Sequence, residues 1–447
     1  MSYPRHVNHD LSAMSCPMSL DDVDLFGDGA QEHWYEAYEI LHRDAPVLRI
    51  PGGGLTPGTD AFVLTKHADI ELVVRDPERF PSLTTNRLGR LRDEGLSPEE
   101  AYATHHNLMQ ASMLSLRPTQ ELYNRHRREL TDPWVGPGAL RHREMITAHA
   151  NALLDAWIDD DEVEFISQFA RPLPQHVMAS ILGFPLADIP LLAEWGDAAV
   201  IPFVHGNGLR HEITPEQTAD MVSRLDGFQD YTYDHVTAKR KDPQDDMVSF
   251  LCSVHYEALD RTLTDLEIAG IVHAMILGGL ETTQYALEEQ AQLLCENPGL
   301  FESLRDDRSR VRNFVEEGMR MRSPTHGLST RTTANDETFH GVHVPAGSLL
   351  HLRFGAANVD PDEFECPFDL DLDRRAITRH LTFSAGPRVC PGANLSRLEQ
   401  QIAWGVLLDR LATISYAEDN DWLHQPGIML GTLRLRLRFA RADNSMA

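Results

Sequence analysis

Apolar residues recur at helical spacing through most of the middle of the chain. Apolar side chains three and four positions apart are typical of helices that bury one face. The segments with this pattern are Ile70–Val74, Arg125–Leu130, Met145–Ile158, Gln175–Leu182 and Ala219–Lys239. A further helix is predicted near Glu32–Asp44. The pattern therefore predicts a mainly α protein with a large helical body.

Short alternating runs near both ends of the chain predict strands. Val47–Ile50 and Ala61–Thr65 lie on either side of a turn rich in glycine and proline. Phe339–Val344 and Leu349–Phe354 follow much later, and Thr432–Phe439 alternates leucine with arginine. These runs predict a small, discontinuous β region built from both ends of the chain.

A β region that draws on both ends does not allow the chain to be cut into independent parts. Although 447 residues is long for one core, we expect a single domain over 1–447. Residues 1–30 contain scattered proline and glycine, so they are predicted to be an irregular N-terminal segment before the first helix.

Composition narrows the class of protein. The net charge is −28, which disfavours nucleic acid or an anionic membrane surface as a partner, because both require basic residues. No uninterrupted apolar run approaches the roughly 20 residues of a membrane span. The first residues do not resemble a signal peptide, and the five cysteines show no disulfide spacing. We expect a cytoplasmic protein without nucleic acid or membrane partners.

One cysteine has surroundings that suggest chemistry, in the segment Phe383-Ser-Ala-Gly386-Pro-Arg388-Val-Cys390-Pro-Gly392. A thiolate that binds iron must be deprotonated, screened from water and supported by N–H donors. Gly386 predicts a tight loop, and apolar spacing after Pro391 predicts a helix that begins there. Cys390 would then lie at a helix N-terminus, where the dipole favours a charged sulfur. Arg388 could reach a heme carboxylate.

Gly-x-Arg-x-Cys alone would fit equally well a buried structural cysteine beside a surface arginine. The whole segment fixes five positions in ten, which is far more specific.

Thr264–Gln292 is predicted to be one long helix, opened by a capping box of Thr264 and Glu267. Inside it lies Gly278-Gly-Leu-Glu281-Thr282. Two glycines within a helix cost about 1 kcal/mol each relative to alanine, so they need a reason. A small residue lets a flat ligand approach the backbone, and a threonine hydroxyl bonded back one turn opens the helix. The alternative is a bend or a close helix crossing.

These motifs together resemble those of the cytochrome P450 family. The resemblance implies the cytochrome P450 fold and a heme b whose iron has the Cys390 thiolate as its axial ligand. It implies that Phe383 packs beside the cysteine and that Arg388 meets a heme propionate. On the opposite helix, Glu281 and Thr282 match an acid–threonine pair that delivers protons during dioxygen activation.

Other positions match the family less completely. Arg331 matches a propionate-binding arginine, and His380 matches a histidine that approaches a propionate, although a lone histidine is more often structural. Tyr123 and Arg127 lie where the family often has His-x-x-x-Arg contacting both propionates. Because tyrosine replaces histidine, Tyr123 is predicted either to donate through its hydroxyl or simply to pack.

One further match concerns structure. Glu317 and Arg320 match a buried structural Glu-x-x-Arg pair beneath the cysteine loop.

Arginines are concentrated at Arg125–Arg128 and around the cysteine, and the exposed ones are predicted to form a basic patch for an acidic electron carrier. The arginines around the cysteine are Arg374, Arg375, Arg379, Arg388 and Arg397. The resemblance implies a ferredoxin and its reductase as partners.

The predicted function is that of a heme-thiolate monooxygenase. It would insert one oxygen atom from O2 into a small hydrophobic substrate, and the Glu281–Thr282 pair favours dioxygen over peroxide. Two alternatives stay open: peroxide-driven oxidation at the same heme, and a non-catalytic heme-binding sensor in which the glycines merely bend the helix.

Overall fold

The structure is a computed structural model. It describes residues 16–27, 30–105, 108–201, 214–420, 423–425 and 427–442. The predicted irregular segment 1–30 therefore lies partly outside the described residues.

The described residues form a mainly α protein, as the apolar spacing predicts. The α-helices are α1 Trp34–Asp44, α2 His67–Arg75, α3 Leu83–Asp93, α4 Pro98–His105, α5 Leu108–Leu116, α6 Gln120–His126, α7 Arg143–Asp155, α8 Pro172–Leu182, α9 Ile189–Ile201, α10 Pro215–Lys241, α11 Met247–Ser253, α12 Asp265–Gly279, α13 Thr282–Glu296, α14 Leu300–Asp306, α15 Val311–Met321, α16 Phe354–Ala357 and α17 Ala393–Arg410.

The strands form two small sheets and two hairpins. They are β1 Val47–Ile50, β2 Ala61–Leu64, β3 Glu162–Glu164, β4 His255–Tyr256, β5 Arg261–Thr262, β6 Leu328–Thr332, β7 Glu337–Phe339, β8 Val342–Val344, β9 Leu349–Leu352, β10 Leu411–Tyr416 and β11 Arg436–Arg441. The larger sheet has the order β1-β2-β9-β6, and β2 pairs with β9 in parallel. Early and late parts of the chain thus share one sheet, as predicted.

The predicted helix over Thr264–Gln292 is broken into α12 and α13 at Leu280 and Glu281. Its capping box is present, because the Thr264 hydroxyl accepts from the Glu267 N–H and Glu267 accepts from the Thr264 N–H. By length and composition Asp265–Glu296 could cross a membrane, but 61% of its most apolar window is buried inside the fold. Burial of that extent is typical of the central helix of a folded core.

α17 begins two residues later than predicted. Gly392 is its N-cap and Ala393 its first residue, so Pro391 precedes the helix and does not begin it. Apolar periodicity locates a helix but not its first turn, because the first residues of a helix follow from the path of the preceding loop.

Candidate active site

A cavity of about 470 Å³ lies between the α12–α13 junction and the loop that carries Cys390. The start of α3, the end of α5 and strand β6 complete its wall. Seven of the ten predicted site residues line it, namely Tyr123, Gly278, Thr282, Arg331, Phe383, Arg388 and Cys390. The other three, Arg127, Glu281 and His380, lie outside it.

Cys390 is held by its own loop at the edge of this cavity. Its backbone N–H donates to the Phe383 carbonyl at 2.9 Å. Burial raises the pKa of the Cys390 thiol, while the backbone N–H groups of Gly392 and Ala393 and the charge of Arg127 lower it. Donors arranged around a sulfur favour the thiolate, and a coordinating metal ion would deprotonate it fully.

The path of the loop depends on Gly386. Its φ of +69° is in the left-handed region, which favours glycine. A Cβ there would also lie 2.9 Å from the Val74 carbonyl oxygen of α2. Two independent requirements, backbone conformation and space, therefore explain the glycine that the sequence motif contains.

The two glycines at the end of α12 have different roles. A Cβ on Gly278 would meet nothing within 4 Å, whereas a Cβ on Gly279 would lie 2.8 Å from the Met178 sulfur of α8. Gly278 faces the cavity and leaves room for a flat group. Gly279 allows a close helix crossing. The close helix crossing thus accounts for Gly279, and the open space beside Gly278 is compatible with the approach of a flat ligand.

Thr282 makes the hydrogen bond that the sequence predicts. Its hydroxyl Oγ1 donates to the Gly278 carbonyl at 2.9 Å. This bond lies where α12 ends and α13 begins, so it satisfies one carbonyl at the break. The hydroxyl also lines the cavity.

Glu281 points away from the cavity into a half-buried polar group. The Tyr285 hydroxyl donates to its Oε2 at 2.6 Å, and Asp197, which is ion-paired with Arg171, lies nearby. Burial raises the pKa of the Glu281 carboxyl to about 7. The Asp197 side chain is 51% exposed, so this group of residues reaches from the helix break to solvent.

Three arginines surround Tyr123 at one side of the cavity. The guanidinium carbon of Arg388 lies 3.9 Å from the centre of the Tyr123 ring, and that of Arg117 lies 5.9 Å from it. Arg331 on β6 is buried, and its Nε has no hydrogen-bond partner. Burial lowers the pKa of all three, that of Arg117 to about 10. Among the described residues, none of the three has a carboxylate partner.

Arg117 is a candidate site residue that was not predicted from the sequence. It lies outside every motif, and its place in the cavity results from packing against Tyr123. The signal in the sequence was Tyr123 itself, which stands where the family often has a histidine.

These residues fit a flat group that carries two carboxylates. Arginines at a cavity wall without carboxylate partners favour a negatively charged ligand, and Gly278 leaves open space beside the helix. Cys390 presents a sulfur atom at the edge of the same cavity. A heme, with its plane, its two propionates and its iron, meets all three conditions.

Arg127 does not occupy the position expected of it. Its Nη1 donates to the Val389 carbonyl at 2.7 Å, and its Nη2 lies 3.5 Å from Asp132. It lines a smaller neighbouring space near Pro391. Its observed contacts therefore support the cysteine loop instead of lining the main cavity.

His380 is also placed elsewhere, because it binds Glu316. Its Nε2 lies 3.0 Å from Glu316 Oε2, and Arg397 donates to both oxygens of the same carboxylate. The expected contact between His380 and a propionate has no counterpart here, since His380 does not line the cavity. The structural reading of a lone histidine is the better one.

The predicted basic patch is largely neutralised. Arg374 is bonded to Glu317, Arg379 to Glu363, and Arg397 to Glu316. Arg388 lines the cavity. Most of the arginines near the cysteine are therefore internal ion-pair partners or cavity residues.

The Glu317–Arg320 pair is buried and complete, as the motif predicts. Arg320 donates to both carboxylate oxygens at 2.7 and 2.8 Å and to the carbonyls of Asn358 and Pro367.

The other four cysteines do not line the cavity. Cys252, for example, contacts the Val236 carbonyl of α10.

Comparison with known proteins agrees with this geometry. A family model described as Cytochrome P450 matches residues 211–439. The chain is 33% identical to the cyclomarin C epoxidase CymV of Salinispora arenicola over 68% of this chain and 74% of that protein. It is 28% identical to the steroid C26-monooxygenase of Mycolicibacterium smegmatis over 91% of this chain and 93% of that one.

Among solved structures, the fold is similar to that of P450BioI in complex with acyl carrier protein carrying hexadec-9Z-enoic acid. The TM-score is 0.77 at 24% identity, covering 92% of this chain and 99% of that chain. The chain thus belongs to the cytochrome P450 family and is a monooxygenase of the heme-thiolate class.

Proposed function

We propose that Cys390 is the axial ligand of the heme iron and that the protein uses O2 to insert one oxygen atom into a small hydrophobic substrate. The observation that supports this most strongly is the composition of one cavity. Cys390 and its loop share it with Gly278, Thr282 and three arginines that lack carboxylate partners. Bound heme would supply the oxygen chemistry, since a thiolate ligand favours O–O cleavage.

In this proposal the arginines orient the heme. Arg331 and Arg388 would each donate charge-assisted hydrogen bonds to a propionate, and Arg117 would supply the cation that the family's histidine provides elsewhere. Tyr123 lies beside both Arg117 and Arg388, so its ring would help to hold both guanidinium groups in place.

Thr282 and Glu281 would manage protons. The Thr282 hydroxyl holds a proton at the cavity wall. Glu281, adjacent in sequence, has a pKa near 7, which is suited to both accepting and releasing a proton near neutral pH. Asp197 and Arg171 would link Glu281 to solvent. This pair supports dioxygen over peroxide as the oxidant.

The rest of the cavity wall supports an apolar substrate. Leu83, Leu88, Met113, Leu328 and Phe354 line it, with a few threonine hydroxyls between them. Such a surface favours a ligand with few polar groups.

The ligand assignment is tested by the carbon monoxide difference spectrum of the reduced protein. Cys390→Ser should lose the strongly red-shifted Soret band of a thiolate-bound heme. Cys252→Ser is the matched control, because that thiol contacts only the α10 backbone, and it should keep the band. A thiolate spectrum retained in Cys390→Ser would contradict the proposal.

The oxidant is tested at Thr282. Thr282→Ala should lower product formed per O2 consumed by about 10²-fold, the lower range for a lost proton-transfer group. Thr283→Ala is the control, because Thr283 bonds to Ser396 and does not line the cavity. Unchanged coupling in Thr282→Ala, with turnover driven equally well by peroxide, would favour peroxide-driven oxidation. Absence of any turnover would favour a sensor.

We propose further that an acidic ferredoxin-type carrier docks at a groove of about 700 Å³ near the start of α17. Arg143, Arg312 and Arg397 line it beside Leu140, which is 65% exposed. Arg397 also covers the Phe383 ring at 4.5 Å, and Phe383 lines the cavity. The groove therefore lies one residue layer from the site.

Replacing Arg143 and Arg312 by glutamate should slow reduction by a ferredoxin and weaken its dependence on ionic strength. Arg43→Glu on α1 is the control, because Arg43 is 62% exposed and lies outside the groove. Equal slowing by the groove and control variants would contradict docking at this groove.

A further inference from the structure

A second group of buried polar residues lies beside the cavity wall and has no role in the proposed function. It consists of Tyr38, His326, His351 and Arg353, each 0% exposed, and is called the Arg353 cluster below. The neighbours of Arg353 in sequence, Leu352 and Phe354, line the cavity, but no residue of the cluster does.

Part of the cluster is well bonded. The Nε of Arg353 donates to the Tyr38 hydroxyl at 2.9 Å, and that hydroxyl lies 2.9 Å from His326 Nδ1. Because the hydroxyl oxygen accepts from arginine, its own proton points to Nδ1. A neutral His326 then carries its proton on Nε2. His351 Nδ1 lies 2.9 Å from the Ser329 hydroxyl.

The remaining polar atoms of the cluster have no partner. Nη1 and Nη2 of Arg353, Nε2 of His326 and Nε2 of His351 are buried without a hydrogen bond to any described residue. Arg353 also has no carboxylate in ion-pair contact among the residues that the structure describes. Arginine remains charged in proteins, and a buried charge without an acceptor is strongly unfavourable.

The unmatched atoms have one chemical character. The Arg353 nitrogens and His326 Nε2 are donors, and His351 Nε2 is a donor when Ser329 donates to Nδ1. Burial, together with the charge of Arg353, lowers the pKa of both histidines well below the usual value, so they do not add positive charge. The cluster therefore offers no acceptor to these donors and no negative charge to balance Arg353.

Two glycines confine the space around the cluster. A Cβ on Gly327 would collide with His351 Nε2, and a Cβ on Gly355 would lie 2.9 Å from the Tyr38 hydroxyl. The backbone therefore approaches closely on both sides. This close approach favours a single small ion over a larger carboxylate or phosphate.

We propose that Arg353, His326 and His351 bind a small monovalent anion of the halide class beside the wall of the cavity. The anion neutralises Arg353 and accepts hydrogen bonds from the free donors. It thereby fixes the turn between β9 and α16, whose residues Leu352 and Phe354 shape the cavity. This site is independent of the heme ligand assignment.

The first test is thermal unfolding of the heme-loaded enzyme in sodium chloride against sodium gluconate at constant ionic strength. An anion that binds only the folded state raises the unfolding temperature, and we expect a saturable rise of about 2 °C or more. Arg353→Met should lose the chloride response, whereas the exposed-arginine control Arg43→Met should keep it. A wild-type protein without a response, or an Arg353→Met protein with one, overturns the proposal.

The second test does not depend on folding of the variant. Crystals of the wild-type enzyme grown in sodium bromide should show an anomalous bromine peak within hydrogen-bond distance of the Arg353 guanidinium. Ordered water alone at this position, or bromide found only at the protein surface, overturns the proposal.

Discussion

The buried arginines of this protein differ in how many partners they have. Arg320 is fully buried and bonds to both oxygens of Glu317 and to two backbone carbonyls. Arg331 is also buried, yet its Nε has no partner, and no carboxylate of the described chain meets its guanidinium group. A complete set of partners indicates a structural role. A missing set indicates that a ligand completes the site.

Buried carboxyl groups show the same difference. Glu317 accepts from Arg320, from Arg374 and from the Asp371 N–H. Glu281 accepts from a tyrosine hydroxyl, and burial raises its pKa to about 7. Glu317 has a full set of donors around it, whereas Glu281 is poised to gain or lose a proton. Substitutions at the two kinds of group should therefore have different effects.

The largest effect is expected where the pair is complete. Glu317→Gln keeps the shape but leaves Arg320 buried without its counter-charge, which should cost about 3–5 kcal/mol of the free energy of unfolding. Chemical denaturation measures the loss. Glu71→Gln, which breaks the exposed pair with Arg75, should cost less than about 1 kcal/mol. Similar losses in the two variants would contradict the structural role of Glu317.

The next effect has a different signature, because Arg331 has no carboxylate partner among the described residues and its Nε has no hydrogen-bond partner. Arg331→Met should leave the unfolding of heme-free protein unchanged or raise its stability. It should weaken heme retention by about 1.5–3 kcal/mol, the value of a hydrogen bond to a charged group. Transfer of heme to a scavenging protein measures this. Arg79→Met, which breaks a surface pair with Glu337, should leave heme transfer unchanged. Destabilised heme-free Arg331→Met would contradict the comparison.

The sequence was informative where local pattern and function coincide. The cysteine loop could be predicted because Gly386 and Cys390 lie within one ten-residue segment. The bond from Thr282 to Gly278 could be predicted because it spans one helical turn. The strands Val47–Ile50 and Ala61–Leu64 were located correctly, whereas the predicted run Phe339–Val344 is divided by a turn into β7 and β8, and β11 begins at Arg436, four residues after the predicted start.

The sequence was least informative about which partner a charge would find. His380 binds Glu316, which is 64 positions away, and Arg127 bonds to a carbonyl 262 positions away. Such pairings depend on how helices pack, and apolar spacing does not encode them. Arg117 was missed for the same reason, because only the fold brings it to Tyr123.

A smaller effect is expected at Arg117. Arg117→Met should speed heme release by about fivefold, close to 1 kcal/mol, because Arg331 and Arg388 remain. Tyr123→Phe is the informative companion. It should retain heme normally if the Tyr123 ring serves only to support Arg388, whose guanidinium lies 3.9 Å above it. A greater loss in Tyr123→Phe than in Arg117→Met would instead indicate donation by the hydroxyl.

The last effect is a slope and not a single loss: a pH dependence of stability at Glu281. The pKa of this carboxyl is about 7 in the folded protein and 4.5 in the unfolded chain, so the folded state binds more protons between these values. Raising the pH through this window should therefore lower stability, by less than about 1.4 kcal/mol per pH unit for one group. Glu281→Gln should lack this slope. Thermal unfolding between pH 5 and pH 8 measures the difference.

Asp197→Asn should move the window to lower pH, because it removes a charge that raises the Glu281 pKa. Parallel pH profiles for wild type and Glu281→Gln would show that Glu281 does not titrate in this window.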